Sequence, residues 1–260
     1  MALLDAYSQQ FYLFVLVLTR ISGLMLTAPI FGPRSVPIQI RVFLAVAMAL
    51  IITPLQTPVE PIDPTNLLTL AVLVGKEALL GLSLGLAVLI LFTGLQITGH
   101  LAGQMSGMSL ADVYDPTYEA EISVFAQLLD IVAMAVFLVI GGHRQVIEAL
   151  LDTFRARPAG AVVFPENLAG VVTSLMSESF IIGLRAAAPV MVALLMSILI
   201  LGLISRTLPQ LNVMAIGFNL NGLIMLAVLI VCLGTMIDVL VPRVSQVIEA
   251  VRDSLIGATL

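Results

Sequence analysis

Six apolar stretches, at about residues 11–32, 42–54, 67–101, 122–140, 168–204 and 213–241, alternate with short polar connectors along the chain. Leu, Ala, Val, Ile, Met and Gly fill them, the strand period of two is absent, and several exceed strand length. The pattern predicts helices throughout. Three connectors are rich in proline: FGPRSVPIQ at 31–39, TPLQTPVEPIDP at 53–64 and RARPAGAVVFPEN at 155–167. No fixed-period repeat, low-complexity tract or long linker divides the chain, so one unit over residues 1–260 is expected.

Two lengths are awkward for simple membrane spans. Stretches 67–101 and 168–204 each hold about 35 residues, and a helix that long rises roughly 52 Å, against about 30 Å of hydrocarbon. Stretch 42–54 is too short to cross alone. Arg34 and Arg41 mark one connector as cytoplasmic, and Arg144, Arg155 and Arg157 mark another. The connectors at 55–66 and 102–121 are purely acidic, which points to the opposite side for both. A single crossing by 67–101 would separate those two connectors. Either that stretch folds back on itself, or these helices are not ordinary lipid-facing spans. The expected fold is all-α: a polytopic membrane protein of long bent helical hairpins packed against other subunits.

Composition fixes the environment. The chain is 60% hydrophobic and only 10% charged, with a mean hydropathy of +1.14. Soluble domains carry about 25% charged residues, so this surface would aggregate in water. A net charge of −5 without a basic cluster excludes nucleic acid as the expected partner. The single cysteine, Cys232, lies in an apolar run and reads as a small buried hydrophobe. The start MALLDAYSQQ lacks a basic region, so the first apolar stretch is expected to stay in the mature protein.

Charges inside the apolar stretches change the picture further. Arg20, Lys76, Arg185 and Arg206 are positive; Glu77, Asp130, Glu178 and Asp238 are negative. Left unpaired, eight such charges would cost on the order of 20 kcal/mol in lipid. Their balanced signs suggest pairs between helices or subunits, with Lys76, Glu77, Glu178, Arg185 and Arg206 as the candidates. Lys76 and Glu77 are adjacent and point about 100° apart on a helix, so each needs its own partner. In GKEALLGLSLGLAV (75–88), Gly81 and Gly85 stand four apart, a face that lets helix backbones approach closely.

The stretch GQMSGMSLADVYDP (103–116) interrupts the apolar pattern. As residues alone, it reads as an acidic turn in which Met105 and Met108 continue an apolar face. Asp112, Asp115, Asp130 and Asp238 provide carboxylates, and His100 and His143 bases. No HExxH, GxSxG or phosphate-cradling loop accompanies them. A small-solute or ion transporter is the stronger competing class, since intramembrane charges are its usual mark.

The block RISGLMLTAPIFGPRSVPIQIRVFLAVAMAL (20–50) resembles the N-terminal signature of FliR-type subunits of the flagellar type III export gate. GKEALLGLSLGL (75–86), GHLAGQMSGMSLADVYDP (99–116) and LRAAAPVMVALLMSILILGLISRTLPQLNVMAIGFNLNGL (184–223) are similar to its later blocks, in the same order. LISRTLPQLN is the most specific part. Asn219 departs from the family's Gly-Phe-Pro, which questions a bend after Phe218. The related virulence type III secretion subunit is also similar.

The resemblance implies a subunit of the gate through which unfolded flagellar proteins cross the bacterial inner membrane, within the flagellar basal body. It implies no catalytic site, metal or organic cofactor. The partners would be two smaller membrane subunits, FliP-like and FliQ-like, other export-apparatus membrane proteins, the exported chains and membrane lipid. Residues 1–167 would hold the N-terminal helices and 168–260 a long two-helix hairpin. The loop at 103–121 would enter and plug the pore. In that role Gly103 and Gly107 supply freedom, Met105 and Met108 a deformable seal, and Asp112 and Asp115 an aqueous vestibule.

Overall fold

Each apolar stretch holds a helix, and most helices run past the apolar residues that predict them. The computed structural model describes residues 2–31, 36–56, 67–107, 124–161, 167–208, 210 and 213–257. Helix α1 is Ala2–Thr27, followed by a 3-10 turn at Pro29–Phe31; α2 is Ile38–Ile52, continued by a 3-10 turn at Thr53–Leu55. Then come α3 (Leu67–Met105), α4 (Val124–Val139), α5 (Gly142–Ala156), α6 (Leu168–Thr207) and α7 (Val213–Ile256). The fold is all-α, with no strand among the described residues.

The helix ends have local causes. Pro37 precedes α2 with extended backbone angles, φ −55° and ψ 144°, and a proline there sacrifices no helical hydrogen bond. The run Ile38–Leu55 therefore reaches 18 residues and is long and apolar enough to cross a membrane. That corrects the reading of 42–54 as too short: Ile38 and Ile40 extend the apolar run around Arg41. Helix α5 starts after Gly141, whose φ of +72° suits glycine. It stops at the extended Arg157 before Pro158, as a residue preceding proline must.

The helices answer three points that the apolar pattern left open. Leu67–Met105 is one unbroken helix of 39 residues, so the fold-back weighed for 67–101 does not occur. Helix α7 runs through Phe218 and Asn219 without interruption; Asn219 supplies the backbone N–H that a proline would lack. Helix α5 lies outside all six apolar stretches because it is amphipathic: Val146, Ala149, Leu150, Thr153 and Phe154 are buried, and Arg144, Glu148 and Arg155 are exposed.

Among the described residues, five helical runs are long and apolar enough to cross a membrane: Tyr7–Thr27, Ile38–Leu55, Leu67–Met105, Leu168–Thr207 and Ile216–Ile256. The chain divides into two compact units. The first comprises Met1–Ile90, Gly141–Leu175 and Val244–Leu260; the second Leu91–Ile140 and Met176–Arg243.

In the first unit, Leu16, Val17, Ile21 and Leu24 of α1 are buried, as are Leu80 and Leu84 of α3 and Val251 and Leu255 of α7. Ser245 donates to Gln145 Oε1 at 3.0 Å, and Arg252 lies 3.8 Å from Asp152, joining the end of α7 to α5. In the second unit Phe92 and Phe137 meet edge to face with centroids 5.6 Å apart, the arrangement their ring quadrupoles favour. Thr98 donates to the Gly183 carbonyl at 2.8 Å. A Cβ on Gly183 would sit 2.2 Å from the Gly94 oxygen, so α3 and α6 touch through their backbones. Helices α6 and α7 expose Leu195, Leu199, Leu203, Leu223, Ile230 and Val231, a surface unsuited to water.

Candidate functional site

The first unit is organised around one buried charge pair. Arg20, on α1, is completely buried, and so is Glu77, on α3. Arg20 Nε donates to Glu77 Oε2 at 2.6 Å. The rest of the guanidinium faces α5 and its exit: Nη1 donates to Thr153 Oγ1 at 3.3 Å. Nη1 and Nη2 both donate to the Arg157 carbonyl at 3.1 Å. The group also stacks 4.0 Å above the centre of the Phe154 ring, a cation–π contact that strengthens when desolvated.

The other carboxylate oxygen reaches a turn. Ala161 N–H donates to the Pro158 carbonyl at 3.0 Å, closing a four-residue turn whose third residue, Gly160, has φ +90°. That conformation calls for glycine. The turn leaves the Gly160 N–H unused, and it donates to Glu77 Oε1 at 2.8 Å. Four pieces of chain, α1, α3, α5 and the 158–161 turn, thus meet at two side chains. Burying two charges carries a penalty of several kcal/mol per ion, so such a pair persists only when its remaining donors and acceptors are satisfied. Both oxygens of Glu77 and three atoms of the guanidinium meet that condition here.

Helices α1 and α3 come together beside this pair through their backbones at Gly23 and Gly81. A Cβ at Gly81 would lie 2.0 Å from the Arg20 carbonyl oxygen, and one at Gly23 would lie 2.7 Å from that of Ala78. At Gly85 an added Cβ would meet the Thr27 hydroxyl at 2.0 Å and the Ala28 nitrogen at 2.8 Å. The close approach read from Gly81 and Gly85 is therefore made with α1.

The remaining predicted charges separate. Glu178 of α6 pairs with Arg243 of α7, both partly exposed; Arg243 carried no mark in the sequence because it stands at the polar end of an apolar run. Lys76 is half-buried, and Arg185, Arg206 and Asp238 are exposed. None of these four makes an ion pair among the described residues. Asp130 accepts a hydrogen bond from Gln96 Nε2 at 2.9 Å.

The candidate pore segment divides between helix and the residues beyond it. Gly103 and Met105 lie in the last turn of α3. Gly107 follows with φ +84°, its N–H donating to the Gln104 carbonyl at 3.2 Å, a glycine helix stop. His100 is thus inside helix α3. Met105 packs on the buried cluster of Ala102, Val190, Leu194 and Met225, because 102 and 105 share one helix face. Met108, Asp112 and Asp115 lie outside the described residues.

Comparison with known proteins identifies the lineage. The family model for bacterial export proteins, family 1, matches residues 11–247. Flagellar biosynthetic protein FliR of Escherichia coli (strain K12) is 33% identical over 204 residues, 78% of this chain and 77% of that protein. The protein of that name from Bacillus subtilis (strain 168) is 32% identical over 248 residues, 93% of this chain and 94% of its own length. The one from Caulobacter vibrioides is 27% identical over 241 residues, covering 92% and 96%. With the match running from the first helix to the last, this all-helical membrane chain belongs to the bacterial export proteins of family 1.

Proposed function

We propose that the chain is a subunit of the flagellar type III export gate, forming part of the channel that passes unfolded flagellar proteins across the inner membrane. The observation that carries this reading is end-to-end similarity to flagellar biosynthetic proteins of nearly the same extent, 93% of this chain against 94% of one of them. That similarity favours the flagellar reading over a virulence apparatus or a solute transporter. Two smaller membrane subunits, FliP-like and FliQ-like, are the partners. The exposed apolar faces of α6 and α7, with Arg185, Arg206 and Asp238 upon them making no ion pair among the described residues, support a partner that supplies countercharges; lipid tails supply none.

The test is deletion of the gene in its own bacterium. Hook and filament proteins should still be made but should be missing from the cell exterior, and motility should return with a plasmid copy. Normal export without the gene would contradict the proposal.

The reading of 103–121 as a pore loop belongs to the same proposal and rests on the resemblance. Since Met105 packs in the core of the second unit, the informative deletion starts after it. Removing residues 108–114 is expected to leave the complex assembled but leaky, with ions crossing the inner membrane and growth slowed, because sealing by fit and dewetting fails when the seal is absent. An assembled deletion with a tight membrane and normal export would make this stretch a plain turn.

A further inference from the structure

The first unit also holds a cavity, between the start of α1 and the end of α2. It encloses about 650 Å³, inside the range of about 300–1,000 Å³ usual for small-molecule sites. Gln9 and Gln10 line it from α1, and Thr53 and Gln56 from the chain that ends α2. The start of one helix thus lies beside the end of the other. Those are the ends of two runs long enough to cross a membrane, Tyr7–Thr27 and Ile38–Leu55. The cavity therefore sits at a hydrocarbon boundary, at the end away from Arg34 and Arg41.

Polarity along the cavity changes with depth. Leu13 and Phe14 line it one turn deeper along α1 than the two glutamines, and Leu50 lines it deeper along α2 than Gln56. Thr53 does not add a donor, since its hydroxyl donates to the Ala49 carbonyl at 2.6 Å. The turn fixes Gln56 in place, its N–H donating to the Thr53 carbonyl at 3.1 Å. Among the described residues the side-chain amides of Gln10 and Gln56 have no hydrogen-bond partner. No charged side chain lines the cavity, and residues 1–19 and 42–75 contain no lysine or arginine.

We propose that this cavity is a phospholipid site selective for an ethanolamine headgroup. The first acyl carbons lie against Leu13, Phe14 and Leu50, and the headgroup meets the amides of Gln9, Gln10 and Gln56. An amide both donates and accepts: its NH2 bonds the phosphate, and its carbonyl bonds the ammonium. That headgroup is neutral overall, so a site without a cation leaves no net charge unbalanced. Phosphatidylglycerol brings a net negative charge that nothing here offsets, and a poorly solvated, unpaired charge is costly. Tyr7 and Phe11, one turn apart on α1 and both exposed, suit the same depth, because aromatic rings favour the membrane–water boundary.

The experiment reads which lipid occupies the site. The photocrosslinker benzoylphenylalanine is placed at Phe11, which lines the cavity, in the full chain within its native complex. The complex is reconstituted into bilayers of equal phosphatidylethanolamine and phosphatidylglycerol, irradiated, and adducts on the peptide carrying residue 11 are weighed by mass spectrometry. Phosphatidylethanolamine adducts are expected to exceed those of phosphatidylglycerol by about ten-fold, the ratio that one charge-assisted hydrogen bond supplies. The same probe at Leu68, exposed at the start of α3 and outside the cavity, is expected to capture both lipids equally. Leu50→Trp fills the cavity from an exposed position, and Gln56→Leu removes one amide. Each is expected to bring the ratio at residue 11 to that at residue 68. Equal capture of the two lipids at residue 11 would overturn the proposal. So would a preference that survives both variants, or crosslinks to protein alone.

Discussion

Glu77→Ala is expected to strip most of the folded protein from the membrane. The substitution leaves the Arg20 guanidinium wholly buried without its countercharge, and losing one member of a buried pair destabilises by about 3–5 kcal/mol. It also orphans the Gly160 N–H, a further loss of about 1–3 kcal/mol. A domain's total stability is about 5–15 kcal/mol, so the combined effect consumes much of it. Immunoblots of membranes should show a several-fold fall in full-length chain. The purified complex should unfold at a midpoint lower by roughly 10–30 °C, on a scale of about 2–4 °C per kcal/mol for chains of this size. Glu77→Gln keeps an acceptor for Gly160 and should fall between the two. A Glu77→Ala complex with unchanged abundance and midpoint would show that the pair is not buried in the assembled protein.

Gly81→Ala carries the second large effect, from one added methyl group. That carbon would stand 2.0 Å from the Arg20 carbonyl oxygen and 2.9 Å from its carbonyl carbon. Both are backbone atoms, which cannot rotate aside as a side-chain tip can. The helices must move apart, and overpacking of this kind costs about 1–3 kcal/mol or more. Separation also stretches the Arg20–Glu77 contact, since Arg20 itself is the residue pushed. Gly75→Ala, on the same helix, is the internal control: nothing lies within 4 Å of its added carbon. There the better helix propensity of alanine should leave stability unchanged or raise it by up to about 1 kcal/mol. If thermal unfolding of the two variants matched, α1 and α3 would not be in backbone contact.

The apolar pattern conveys the helices well because burial in lipid or protein demands long runs of apolar residues, and α3 and α6 contain such runs almost to their ends. It fails where one face is wet. Helix α5 spreads its buried residues over 146, 149, 150, 153 and 154 with charges between them, so a search for continuous apolar runs passes over it. The amphipathic spacing was the signal that could have found it. The glycine face at Gly81 and Gly85 was legible because residue size is a local property. Its partner was not, since Gly23 lies more than fifty positions away in the chain.

The charges tell a similar story. Arg20 and Glu77 stood out as buried charges of opposite sign, yet nothing in their spacing joins them to each other rather than to another subunit. The turn that completes their environment depends on Gly160, an unremarkable glycine between two helices until its N–H is seen to reach Glu77. The candidate pore segment shows the limit from the other side. Its glycines and methionines read as a loop from residue 103, but helix α3 continues to Met105 because Ala102 and Met105 still have an apolar cluster to bury against.

The measurement closest to the central proposal is the company the chain keeps. Tagged at one end, expressed from its own locus and extracted in mild detergent, it should bring down two smaller membrane proteins in a single stable particle. Expressed alone, it should aggregate or be degraded, because the apolar faces of α6 and α7 would stay exposed around Arg185, Arg206 and Asp238, which make no ion pair among the described residues. Abundant, monodisperse and fully folded chain purified without any partner would contradict its assignment as a gate subunit.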